Sequence, residues 1–260
     1  MKTANFKRFS VLLLWLLAGS QLGLKGQFID AAKGIESIRA AHITIESGLH
    51  TPWGDLSDRF GISNTVGASF RVKTANRWLT GFGARFLTGS NVRQAGLLNN
   101  LKTEGGYLID NEGSIALVTA QQRGTLLTAS IGRLFPIAPS NPNTGLTIEI
   151  AGGYWAHKIH FQNRGNRVTQ LESPYLASYD RLASGWVLCP RVGYWYMDPR
   201  GRVNFHVGLE CYAGRITPRR DWNADTVDAD TDVRTDGLFG LFAGWVIHLR
   251  ARPTDELFFD

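Results

Sequence analysis

The sequence predicts an all-β protein: an eight-stranded antiparallel transmembrane β-barrel with long outer loops and short periplasmic turns. Three observations carry that expectation. An export signal opens the chain, a period of two recurs along the rest of it, and long connections alternate with short ones.

The leader comes first. Lys2, Lys7 and Arg8 form a positive start, residues 11–18 form a short apolar core, and small or turn-prone residues lead to Lys25-Gly26-Gln27. That order is the pattern of a secretory signal peptide, here residues 1–26, and the apolar run is too short to cross a bilayer as a helix. Residues 27–39 are expected to form a periplasmic N-terminal segment, residues 40–250 the barrel, and residues 251–260 a periplasmic tail. The chain carries a formal charge of +6, but the leader holds four of the basic residues and no acid, so the remainder is 6 − 4 = +2. That small excess gives no footprint for nucleic acid. No later segment is apolar for long enough to be a membrane helix.

Each strand then follows from alternation. In residues 41–49, Ile43, Ile45 and Leu49 oppose His42, Thr44, Glu46 and Gly48. Val66, Ala68, Phe70 and Val72 oppose Gly67, Ser69 and Arg71, and Trp78, Phe82, Ala84 and Phe86 oppose Gly81, Gly83 and Arg85. Residues 125–135 form a weaker fourth strand. Leu146, Ile148, Ile150 and Tyr154 oppose Thr147, Glu149 and Gly153. Trp186, Leu188, Val192, Tyr194 and Tyr196 oppose Arg191 and Gly193. Val203, Phe205, Val207 and Leu209 oppose Asn204, His206, Gly208 and Glu210, and the series from Phe239 to Leu249 opposes Gly240 and Gly244. The connections measure about 12, 4, 35, 10, 25, 5 and 20 residues, so long and short alternate as in a barrel with both ends in the periplasm. Tight-turn residues fill the short ones: Thr74-Ala75-Asn76, residues 139–143 and Asp198-Pro199-Arg200-Gly201. Trp78, Phe135, Tyr194, Tyr196, Phe205 and Trp245 fall near the short turns, and Tyr154 and Trp186 near the long loops, which predicts two aromatic girdles.

The interior has room for side chains or one small ligand. Glu46, Glu149 and Glu210 are expected inside with Arg71, Arg85 and Arg191, and unpaired charges there are costly, so they should pair. An ion-paired plug and a gated ion path both remain open. Catalytic residues, cofactors and a bound metal are not expected. His157, Lys158 and His160 lack further ligands, and the Asp228, Asp230, Asp232 series has Val233 and Phe239 where a calcium loop needs Gly and Glu. Cys189 and Cys211 flank the turn at residues 198–201 nearly symmetrically. An oxidising compartment favours a disulfide, strict alternation sets them on opposite faces, and Pro190 would reconcile the two if it marked a register-shifting bulge. Residues 90–124 form an outer loop rich in apolar residues, with a short amphipathic helix at Leu97, Leu98 and Leu101 and more apolar surface at Ile109. It either folds over the barrel mouth or docks another protein.

Residues 54–61, 179–185, 219–225, the end from Gly244 and the leader ending at Gly26-Gln27 resemble a family of small OmpA-like outer-membrane barrels of Bacteroidota. The resemblance implies an outer-membrane location and, for some relatives, association with assembly or secretion complexes. It implies no functional residues. On these grounds the chain is expected to be a non-enzymatic subunit or anchor, touching the lipid bilayer and protein partners through its outer loops. A free-standing barrel for a small ligand or lipid, or a narrow channel, is the alternative.

Overall fold

A computed structural model of the chain describes residues 37, 39–163, 165, 168–198 and 203–249. The expected signal peptide, nearly all of the segment 27–39 and the tail 251–260 lie outside the described residues. Eight long strands pair antiparallel in sequence order and close on themselves: β1 (Ala40–Gly54), β2 (Ser63–Lys73), β3 (Trp78–Gly89), β4 (Val118–Pro136), β5 (Gly145–Asn163), β6 (Ala183–Met197), β7 (Asn204–Pro218) and β8 (Arg234–Leu249). Closure is made by β1 on β8, from Ala41 opposite Leu249 to Gly54 opposite Asp236. No helix of the described residues is long and apolar enough to cross a membrane. A closed barrel leaves no unpaired sheet edge.

Alternation places the side chains as expected, with the polarity of a soluble protein reversed. Outward residues are apolar and bare: Phe82 is 65% exposed, Leu241 60% and Ile148 56%. Inward residues on the same strands include fully covered His42, Thr44, Glu46, Arg71, Glu149 and Glu210. Such an exterior is suited to hydrocarbon rather than water. Its height agrees. On β6 the outward residues from Trp186 to Tyr196 span about 33 Å of extended chain. At a strand tilt of about 40° that is about 25 Å along the barrel axis, close to the apolar band of transmembrane barrels.

Both rims of this band carry aromatics. Toward the short turns, Tyr196 stacks on Phe205 with ring centroids 5.1 Å apart, and the Arg133 guanidinium lies 5.7 Å from the Trp78 ring. Toward the long loops, Tyr154 meets Trp186 edge to face at 6.1 Å.

Three expectations are corrected. The fourth strand is not short: β4 and β5 are each 19 residues long, and residues 118–124 belong to the strand rather than to the preceding loop. That extension pairs Val118 with Asn163 and Arg123 with Lys158. Its Thr119, Gln121, Gln122 and Arg123 carry no apolar alternation, so the period of two fades there although the ladder continues. The loop-length alternation is also weaker than expected, because the first outer connection, residues 55–62, is as short as the turn at residues 137–144. The third correction concerns the cysteines. Cys189 and Cys211 are both free. Leu188 opposite Ala213 and Arg191 opposite Glu210 keep one register across Pro190, so no bulge intervenes. Cys189 therefore points into the barrel and Cys211 away from it, and side chains on opposite faces of a sheet cannot be bridged.

Candidate functional site: a charged lumen beneath an apolar lid

The lumen is filled in layers. Nearest the short turns, Leu79, Leu134, Trp195, Met197 and Val246 form a small apolar cluster. Above it lies the charged layer, in which all six residues singled out in the sequence meet. Glu46 lies 2.7 Å from the Arg71 guanidinium and accepts from Arg191 at 3.2 Å and from Arg85. Glu210 binds Arg85 at 2.8 Å and Arg191 at 3.0 Å, and Glu149 lies 3.4 Å from Arg71. Strand register explains the meeting: Arg191 stands opposite Glu149 on β5 and opposite Glu210 on β7.

Glycine makes the layer possible. Gly132 stands opposite Glu149, Gly244 opposite Glu46 and Gly81 opposite Arg71. A Cβ at Gly132 would come within 2.5 Å of the Glu149 Cγ, and one at Gly244 within 2.9 Å of the Glu46 Cγ. Each of these three charged side chains thus lies across a neighbour that has none, which helps three acids and three bases fit a lumen of eight strands.

Several participants escaped the sequence reading. His50 shares Glu210 at 2.8 Å, the Tyr212 hydroxyl meets Arg85, and Ser69 donates to Glu46 at 3.1 Å. His206 lies 2.9 Å from the Thr147 hydroxyl, and the Arg191 guanidinium sits 3.9 Å from the centre of the Phe242 ring. Neutral polar and aromatic residues carry no charge signal, so only their inward register could have pointed to them. The void lined by Ser69, Arg71, Arg85, Cys189, Arg191 and Tyr212 measures about 10 Å³, room for about one water molecule.

A second charged group lies nearer the long loops. Arg59 clasps Asp236 at 2.6 and 2.7 Å, and His157 lies 2.8 Å from the same carboxylate. His157 and Lys158, adjacent in sequence, therefore do different things. His157 turns inward to Asp236, while Lys158 turns outward and lies 3.5 Å from Asp180. In the last long loop Asp230 pairs with Arg234, and Asp225 with Arg181 at 2.6 Å.

The lid completes the site. A continuous apolar cluster runs from inward strand residues Leu126, Trp155, Ile216 and Leu238 up to loop residues Leu56, Phe60, Leu98, Val168 and Leu171. Leu98, 5% exposed, is part of it, and Leu97 and Leu101 pack against it. The expected amphipathic helix is a single 3-10 turn, Asn99–Leu101. Leu98 precedes it in the left-handed backbone region (φ 58), a conformation held by its burial. These three leucines face the barrel mouth and are not an outer surface. Ile109 stands apart on a two-stranded extension, Leu108–Ile109 with Ile115–Ala116, and is exposed along with Tyr107, Ile115 and Leu117.

No family profile matches the sequence, and no curated protein proves similar to it. Solved structures with a similar strand arrangement include Ail, the attachment invasion locus protein of Yersinia pestis. It is 12% identical, the match covering 82% of this chain and all of that one, with a TM-score of 0.41. Neisserial surface protein A matches at 10% identity over 80% of this chain and 96% of that one, with a TM-score of 0.39. The N-terminal β-barrel domain of Pseudomonas aeruginosa OprF matches at 9% identity over 81% of this chain and all of that one, with a TM-score of 0.38. The fold assignment rests on the closed strand register itself.

Proposed function

We propose that this chain is an outer-membrane barrel that moves no solute through its lumen and acts as a non-enzymatic subunit or anchor of a larger outer-membrane complex. The observation that carries the reading is the reversed polarity: a bare apolar band about 25 Å high surrounds an interior closed by paired charges and capped by apolar loops. A barrel so filled has little room for a substrate, and what it offers to other molecules lies on its loops and outer wall. The long-loop end faces the exterior and both termini face the periplasm, as the expected leader and the even strand number favour.

Partner contact falls to the extension in residues 90–117 rather than to the leucines of the lid. Leu117 is 88% exposed, and Tyr107, Ile109 and Ile115 are exposed beside it, above the lipid band where water would otherwise meet them. Tyr107→Ser combined with Leu117→Ser should leave the barrel inserted and remove proteins that co-purify from membranes without crosslinking. A wild-type barrel that purifies alone would overturn the subunit reading, and companions retained at wild-type level by the variant would show that the extension is not the docking surface.

A further inference from the structure

The long-loop rim of the outer wall is not uniform. On β1, β2, β3 and β8 it presents Thr51, Asn64, Thr88 and Thr235. On β4 to β7 it presents cations. Arg123 and Lys158 stand side by side across the β4–β5 ladder. Arg219, just past β7, is tied to the neighbouring connection by its backbone N–H, which donates to the Leu182 carbonyl at 2.8 Å. One step lower, Tyr154, Trp186 and Arg215 line up across three strands. Arg219 reaches down to this row. It donates to the Ser184 hydroxyl at 2.7 Å and lies 3.5 Å from the Tyr154 hydroxyl, which itself donates to Ser184 at 2.6 Å.

Among the described residues no carboxylate lies within ion-pair distance of Arg123, Arg215 or Arg219. Asp180, a covered acid nearby, accepts from the Arg220 Nε at 2.8 Å and Nη2 at 2.7 Å and lies 3.5 Å from Lys158. Burial, and then the charges of Arg123 and Lys158, keep the His160 imidazole below the usual histidine range. At the opposite rim Arg133 is spread over the Trp78 and Phe135 rings.

We propose that the wall of β4 to β7 at this rim is a recognition surface for a lipid whose headgroup carries phosphate, with Arg123 and Arg219 as the principal contacts. Height and charge together favour this occupant. Tyr154 and the 75%-exposed Trp186 mark the boundary of the apolar band, where headgroups lie, and the cations stand at and just above it. Acyl chains would lie against Leu127, Leu188 and Ile150 below, while the planar guanidinium forks match phosphate oxygens. Ser184 and Tyr154 fix the Arg219 side chain in advance, so less freedom is lost on binding.

The inference rests on the membrane reading of the barrel and is tested separately from it. Full-length protein and variants are reconstituted in phosphatidylcholine vesicles containing a minority of phosphatidic acid, extracted in mild detergent, and their retained lipids counted by native mass spectrometry. Heat-shifted electrophoresis of the same samples reports whether each barrel has formed. The wild type should retain phosphatidic acid well above its share. Arg123→Gln combined with Arg219→Gln should lower that preference about tenfold or more, and Arg133→Gln should keep it. Should the double variant fail to insert, Arg123→Gln alone, which breaks no side-chain hydrogen bond among the described residues, gives the same reading with a smaller loss. Absence of enrichment in a folded wild type, or equal loss in Arg133→Gln, overturns the proposal. So does displacement of the lipid by inorganic phosphate at matched concentration, which would make this a site for free anions.

Discussion

At the residue scale, the charged layer depends on pairing more than on any one residue. Glu210 holds Arg85, Arg191 and His50, so Glu210→Ala leaves two guanidinium groups short of a partner in a closed interior. Breaking one partner of a buried pair costs about 3–5 kcal/mol. Arg191 also reaches Glu46, so adding Arg191→Ala removes a stranded charge but weakens a second contact. The double change is therefore expected to fall short of additivity by roughly 1–3 kcal/mol in detergent-lipid unfolding titrations. Strict additivity would mean that Arg191 and Glu210 do not interact. Gly132 belongs to the same scale. Gly132→Val should destabilise the barrel by forcing the Glu149 side chain aside, and the unfolding midpoint checks it. A midpoint equal to wild type would show that the lumen can give way at this position.

At the element scale, the loop of residues 90–117 divides into two parts with different tasks. Leu98 belongs to the apolar cluster of the mouth with Leu97 and Leu101 packed against it, and the extension rests on that cluster through Leu108 and Ala116 while Ile109 and Leu117 stay exposed. Exchanging those three leucines for serine should loosen the lid, the burial of Leu98 alone contributing about 3 kcal/mol. Limited proteolysis should then cut within residues 90–117 while β1 to β8 stay protected. If the loop resists protease as in the wild type, the packing of these leucines does not hold it down. The extension of β4 and β5 belongs here too. Its rungs from Val118 opposite Asn163 to Arg123 opposite Lys158 lie beyond the apolar band, so they hold Arg123 and Lys158 at the level of the headgroups and lift the loop above them.

At the scale of the whole molecule, closure dominates. Every described barrel strand has two neighbours, so unfolding has no free edge from which to begin. Purified protein should accordingly run differently on electrophoresis before and after boiling in detergent. Identical migration would count against a closed barrel. The filled lumen gives a companion expectation: planar bilayers containing the protein should show no steady conductance, because paired charges fill the middle of the barrel and apolar side chains cover its mouth. Sustained single-channel steps would overturn the sealed-lumen reading.

The sequence by itself determined the strand number, the order of pairing between neighbours and the face of each alternating residue. A period of two is a local property, and consecutive strands joined by turns pair in order. It also marked the six charged residues of the lumen, since a long charged side chain opposite a lipid-facing row has only the interior to enter. Tertiary structure decided the rest. Which acid meets which base depends on the stagger between strands and on the glycines that leave space opposite, as Gly132 does for Glu149. Whether Leu98 turns toward the mouth or the exterior depends on apolar residues as distant in sequence as Leu171 and Leu238. The separation of Cys189 from Cys211 was settled by a register that runs unbroken past Pro190. The row formed by Arg123, Lys158 and Arg219 exists only once three strands and a loop stand side by side, since adjacency across a barrel wall is set by hydrogen-bonded register and has no counterpart in spacing along the chain.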